Sequence, residues 1–533
     1  MSQPPQPRAS AARTGARHAA HAARVHAGLL AHPTRAVEWA CTLIVALFGA
    51  LLRFVRLGEP RAVVFDETYY VKDAWTMLQT GEPRNWPQTV LYLGQDVNPN
   101  IPFASGETDL WLDSAEYVVH PPMGKWFIAW GLKLFGGAAN PFAWRAATTI
   151  AGTIAIIVLI RVLLRLFHNL PIALFGGVLM AIDGVGITMS RTGLLDIFIM
   201  VLALGAFSLL LMHRDWAKAR LGRAADPGAR PPQIAVSWYR IGAAVLLGLA
   251  TGVKWSGTYF MAVFCVTSVL WDAWMRHQAG YRRWFITGVL RDGALAACTM
   301  LPTYALTYLA TWAGWFLHPD SYMHDWARLH PGEGIQWLPE SWRSFVQYHA
   351  QMWQFHTTLD APHDYKANPL TWPLQIRPTS FYWEKLPDHP GLCSLAPHSQ
   401  CVAAVTSLGN PLIWWLGSLC ALGAIAIAIW RRGDWRIWAV LAGFLGGWLP
   451  WAQYLHRTTF TFYSIVLLPW MIMAICYVFD WLRTAVARAT WQAALGSTLG
   501  LCLLVSAFFY PIWTAMPVPY EFWLSHMWLE SWI

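Results

Sequence analysis

Charge is what this chain has least of. Asp, Glu, Lys and Arg together make up 13% of its 533 residues, about half the share expected of a soluble domain. No acidic residue precedes Glu38. Neither a GxxxxGK[ST] loop nor a GxGxxG turn occurs, so nothing points to a bound nucleotide. There is no CxxC pair, no Cys/His array of zinc spacing, and no internal repeat of solenoid type. Cysteine is sparse, and six of the eight (Cys41, Cys265, Cys298, Cys420, Cys476 and Cys502) lie in apolar segments as small packing residues. Cys393 and Cys401 instead share a polar loop. They are candidates for a disulfide if that loop faces an oxidising compartment.

What fills the space is apolar. Hydrophobic residues reach 56% and aromatic residues 15%, with 35 tryptophans, a residue that gathers at membrane–water interfaces. The chain reads as an all-α integral membrane protein. A hydrocarbon core takes about 20 apolar residues per helix. Candidate spans are 37–57, 142–167, 171–189, 193–212, 237–254, 257–273, 285–312, 408–430, 436–454, 460–482 and 492–513. The net charge of +9 is concentrated in short connections: Arg214 to Arg230, Arg276 to Arg283, Arg431 to Arg436, Arg483 and Arg488, and Arg161 and Arg165 at a span end. That is a positive-inside bias rather than a nucleic-acid surface. All these groups fall on the cytoplasmic side only if His120–Gly137 is interfacial and does not cross. The expectation is therefore about eleven spans, with a disordered cytoplasmic tail over 1–35, an uncleaved first span and a membrane domain over 36–513. Two long extracytoplasmic segments, 58–141 and 313–407, and a C-terminal tail over 514–533 on the same side complete the topology.

That topology gathers polar residues from distant stretches at one membrane face. Asp66 and Glu67 lie in FDETYY, beside Tyr69 and Tyr70; His120 and Lys125 lie in HPPMGK. Arg191 and Asp196 lie in RTGLLD, Lys254 in GVKWSG, and His456 and Arg457 in YLHRTTF. Singly, Lys254 or Arg457 reads equally well as a cation snorkelling to headgroups. Together, cations beside two carboxylates suit an anionic lipid headgroup with a base next to it. Glycosyl transfer from a lipid phosphate needs those parts: positive charge for the leaving phosphate, no acid to protonate it, and a carboxylate for the incoming hydroxyl. A transporter would instead string paired charges through the bilayer midplane, with an inverted repeat.

These motifs, with LATGVKWSG and MWQFHTTLDAPHDYKANPLTWPLQIRPTSFYWE at Met352 to Glu384, resemble the protein O-mannosyltransferases that use polyprenyl- or dolichyl-phosphate mannose. The resemblance runs over about residues 37–513 and implies the C-type glycosyltransferase fold with about eleven transmembrane helices. It implies inverting transfer of mannose to Ser or Thr of secreted or membrane proteins, at the plasma membrane, with no cofactor and no metal. The lipid-linked sugar, the acceptor polypeptide and membrane lipids would be the partners, secretion machinery is a further candidate, and nucleic acid is none. Asp66 would take or orient the acceptor proton, and Glu67 would position acceptor or mannose. Arg191, Lys254 and Arg457 would hold the donor phosphate, supported by Lys125 and His120. Tyr69, Tyr70, His363, Trp372 and Tyr382 would contact acceptor or sugar, although Trp372 and Tyr382 read equally as interface anchors. The second outer segment has no room for the β-trefoil of eukaryotic members, so the resemblance is to the bacterial branch. An enzyme of the same superfamily moving another sugar is the rival reading.

Overall fold

A computed structural model describes residues 34–222, 226–388, 390–430 and 433–533. The tail over 1–33 and the loop arginines Arg223, Arg431 and Arg432 lie outside the described residues. Helix starts follow local chemistry. Asn140 accepts from the amide of Phe142, Asn169 from Ile172 and Ser237 from Arg240, each meeting one of the orphan donors of a helix N-terminus.

In chain order the principal helices are α1 (Arg35–Phe54), α2 (Glu67–Thr80), α3 (Met123–Leu134), α4 (Pro141–Phe167), α5 (Leu170–Ile182), α6 (Gly184–Ser190), α7 (Asp196–Leu221), α8 (Trp238–Val253) and α9 (Gly257–Gln278). They continue with α10 (Asp292–Thr311, entered through a π-helical turn at Ile286–Arg291), α11 (Glu340–Thr358), α12 (Pro411–Trp430), α13 (Trp435–Gly447), α14 (Leu468–Ala485) and α15 (Arg488–Trp513). Eight helices among the described residues are long and apolar enough to cross a membrane, and a ninth results if α5 and α6, bent by 57°, form one span. α8 has 16 residues and α13 has 13, so each is shorter than the roughly 30 Å hydrocarbon layer. At α13 the 3₁₀ turn Leu449–Tyr454 continues the path. α3, with 12 residues, spans only about 18 Å.

The break between α5 and α6 is built by Asp183. Its Oδ1 accepts the Gly186 amide at 3.0 Å, and its Oδ2 accepts the Asn410 amide and the Trp414 indole at 3.1 and 2.9 Å. Gly184 is required there, since a Cβ would come within 2.1 Å of the Leu408 carbonyl. The stretch Thr461–Ala485 is the most deeply packed of the spans, and the α10 span the least.

Two small sheets are added to the helical bundle. β1 (Val90–Tyr92) and β2 (Gln95–Val97) form a hairpin in the first long segment. In the second, β3 (Thr379–Leu386) pairs antiparallel with β4 (Cys401–Ser407), which pairs with β5 (Val518–Pro519). β4 is buried throughout and rich in Val, Ala and Thr, so its backbone groups need a ladder that a loop cannot supply. Cys393 and Cys401 are joined by a disulfide at the base of this sheet. Residues beyond 514 fold back onto it, with Trp532 and His526 buried and Arg377 donating to the carbonyls of Ser531 and Ile533.

Candidate active site

A cavity of about 370 Å³ opens where the C-terminal ends of α8 and α10 meet the N-terminus of α9, the segment Trp451–Tyr463 and helix α11. Its wall is aromatic: Trp255, Tyr259, Tyr304, Tyr308, Trp353, Trp451, Tyr454 and Tyr463. Several of these ring polar groups are already bonded. Tyr259 donates to Tyr454 at 3.1 Å, and the Trp255 indole donates to Tyr308 at 3.0 Å. Tyr308 in turn donates to Nε2 of His349 at 2.7 Å.

Three ionised side chains line this cavity: Asp196, Lys254 and Arg457. Lys254 Nζ donates to Asp196 at 2.7 Å and lies 4.9 Å from the centre of the Tyr463 ring. Arg457 has no carboxylate partner among the described residues. It is nearly buried, rests against Trp451 at 5.9 Å, and its Nε has no acceptor. One carboxylate against two cations leaves the lining one positive charge in excess. A buried cation without a counterion is costly unless a ligand supplies one.

Asp66 stands beside this lining as the residue that starts α2. It is half-buried and bonded to the hydroxyl of Tyr70. Burial lifts its carboxyl to about 6, with Asp196 adding to the rise and Lys254 and the Tyr70 bond opposing it. A carboxylate poised there can exchange a proton near neutral pH. His120 lines the cavity too; burial, then the cations Lys254, Lys125 and Arg457, hold its imidazole well below its ordinary value, so it is neutral.

Several expected ligands are placed elsewhere. Glu67 is fully buried behind Asp66. Its two oxygens take a bidentate pair from Arg145 at 2.8 and 2.9 Å, and the amides of Gly193 and Val64 at 2.8 and 3.0 Å. With its oxygens saturated, it anchors the loop rather than an acceptor. Arg191 does not reach the cavity. It donates to the carbonyls of Arg53, Val55 and Arg56 at 2.7, 2.6 and 2.8 Å, at the C-terminal end of α1 where a cation is favoured. Lys125 is buried against Asp73 at 3.3 Å. Trp372 is fully buried behind Trp451, 5.2 Å between ring centres, so it offers no face to a sugar. Tyr382 lies in β3 and donates to Glu384. Tyr69 is exposed, and His363 is exposed beside Phe460. Neither they nor Tyr70 line the cavity.

His349, Trp353 and His356 line the cavity as well, and the motif at Met352 to Glu384 does not single them out. Spaced i, i+4 and i+7, they share one face of α11, and that spacing was the available signal.

Comparison with known proteins agrees with this architecture. Residues 341–532 match the family described as the C-terminal four TMM region of protein-O-mannosyltransferase, and residues 119–224 match dolichyl-phosphate-mannose-protein mannosyltransferase. The chain is 32% identical to a polyprenol-phosphate-mannose–protein mannosyltransferase of Mycolicibacterium smegmatis, over 93% of each chain. It is 31% identical to that of Mycobacterium tuberculosis, over 93% of this chain and 92% of the relative. The fold is shared with the S. cerevisiae protein O-mannosyltransferase Pmt1–Pmt2 complex bound to the sugar donor, at a TM-score of 0.69, 15% identity, and 94% and 93% coverage. Identity of 31–32% over nine-tenths of the chain shows that this chain belongs to the protein O-mannosyltransferase family.

Proposed function

We propose that this protein transfers mannose from polyprenyl-phosphate mannose to Ser or Thr hydroxyls of polypeptides, with inversion, at a site on the extracytoplasmic face of the plasma membrane. The observation that carries the reading is Arg457, a cation that lines an aromatic-walled cavity beside the Lys254–Asp196 pair and has no carboxylate partner among the described residues. The donor is a phosphodiester with one negative charge, which would pair with it. In the transfer, the hydroxyl oxygen attacks the anomeric carbon from the side opposite the phosphate. The carbon–oxygen bond to phosphate breaks, its electron pair leaves with the phosphate, and the hydroxyl proton passes to Asp66. Lys254 and Arg457 receive the second negative charge that develops on the leaving group, so the step needs no metal and no cofactor. The like charge of the bound phosphate raises the basicity of Asp66 further.

The basic connections at the opposite end support an eleven-span topology with the cavity facing outward. Acceptors would be secreted or membrane polypeptides, reaching Asp66 past the exposed Tyr69 and His363. Membranes carrying the protein, given polyprenyl-phosphate mannose and a Ser/Thr peptide, should form mannosyl peptide with and without chelator. An Asp66→Asn variant should insert normally and form none. Transfer from GDP-mannose with the lipid carrier excluded would overturn the reading, as would full activity in the Asp66 variant.

A further inference from the structure

Arg457 can serve a donor phosphate only if something holds its guanidinium in place, because no carboxylate pairs with it among the described residues. What touches it is an imidazole: Arg457 Nη2 meets Nδ1 of His356 at 3.2 Å. On its other side, His356 Nε2 lies 2.6 Å from the carbonyl oxygen of Val119. A carbonyl only accepts, so Nε2 carries the proton and Nδ1 is the bare acceptor that an arginine requires. The ring is also stacked on His120, 5.0 Å between centres and 19° between planes, and Trp255 packs against it at 5.8 Å.

From these contacts, and resting on the donor site proposed above, we infer that His356 is a positioning residue. As a neutral acceptor it fixes Arg457 on the donor phosphate, and it ties the first outer segment, through Val119, to the segment that carries Arg457. A protonated His356 would have no acceptor to offer and would set a cation against Arg457. The charged and titratable groups facing it are Arg457, Lys254 and His120, with Lys125 beyond His120. All of them favour the neutral ring. Burial and these cations bring His356 down to about 4, so the contact is intact at neutral pH and is lost only as the pH falls through about 4. Arg457 keeps free donors for a ligand, including its unpartnered Nε.

The test is a double-mutant cycle on the full-length protein in detergent, with polyprenyl phosphate as the binding probe and thermal unfolding as the fold control. His356→Ala and Arg457→Ala should each weaken binding by about tenfold, and the double variant should be no worse than Arg457→Ala alone. His356→Gln can donate to Val119 and accept from Arg457 through one amide, and it should bind within about twofold of the unmodified protein. In the transfer assay at neutral pH, His356→Ala should raise donor KM with kcat little changed, and in the binding assay His356→Gln should hold its affinity as the pH falls through about 4, where the parent's drops. Additive losses in the cycle would overturn the inference, and so would wild-type binding by His356→Ala or failure of His356→Gln to rescue. Because binding of polyprenyl phosphate is read without mannose transfer, an inactive parent would remove the proposed function while the cycle still decides the role of His356.

Discussion

Two arginine clusters of the helical bundle differ in how their charge is met. At one end, Arg240 pairs with Asp272 at 3.0 Å, and His213 meets the same carboxylate at 3.1 Å. Arg276 and Arg291 share Asp292, and Arg436 is held between Asp434 and Asp480 at 2.7 and 2.9 Å. At the other end, Arg457 faces an aromatic cavity with a neutral imidazole for company. Helix α7 joins the two, since Asp196 and His213 both lie on it, about 25 Å apart along its axis. Buried charge by itself therefore says little about function. Charge met by a carboxylate fixes helix against helix, and a cation without one that also lines an open cavity, as Arg457 does, is where a ligand can complete the balance.

The largest effect should come from the carboxylate beside the excess cation. Asp66→Asn keeps the shape and the bond to Tyr70 but removes the base, and kcat should fall by about 10³-fold, within the range for loss of general-base catalysis. In the parent protein the carboxyl is neutral below about 6. Activity should therefore fall as pH drops through that value and hold above it. A profile without that limb would move the base elsewhere.

Next come the cations. Arg457→Ala should raise donor KM about tenfold or more, the loss of one charge-assisted bond being worth roughly 1.5–3 kcal/mol, with thermal unfolding little changed. Asp272→Asn at the opposite end should do the reverse. It leaves Arg240 and His213 buried without their carboxylate and should cost about 3 kcal/mol of stability, measured by thermal unfolding, while donor KM stays put. Glu67→Gln belongs with Asp272, for all its closeness to Asp66. Its bidentate pair with Arg145 is structural, so lost activity should track lost folded protein. A Glu67→Gln variant of full stability and no turnover would place Glu67 back at the chemistry.

This division explains what could and could not be read from residues alone. The multi-helix membrane fold, the two long segments between helices and the meeting of FDETYY, GVKWSG and YLHRTTF were legible, because apolar length reports directly on a bilayer. Which cations face the cavity was not. Arg191 and Lys254 both sit at helix junctions of one membrane face, and only the fold shows one satisfying the frayed end of α1 while the other turns inward toward Asp196. Acidic neighbours were equally misleading. Asp66 and Glu67 are adjacent, yet α2 begins between them, so one points to the cavity side and the other into the protein. The β3–β4 sheet is not legible in this way, because its short strands lie inside a segment rich in Pro, His and Trp.

The smallest effects separate aromatic rings that look alike in sequence. Trp451 lines the cavity and carries Arg457 over its face, a contact worth about 0.5–1 kcal/mol at a partly exposed site. Trp451→Leu should therefore raise donor KM by roughly two- to fivefold. Tyr382 is half-buried in β3, and its hydroxyl donates to Glu384. Tyr382→Phe should leave donor KM unchanged and stability within about 0.5 kcal/mol. If the tyrosine variant lost donor affinity and the tryptophan variant kept it, the sugar would be stacking on the sheet, and the cavity at the end of α8 would not be where the donor binds.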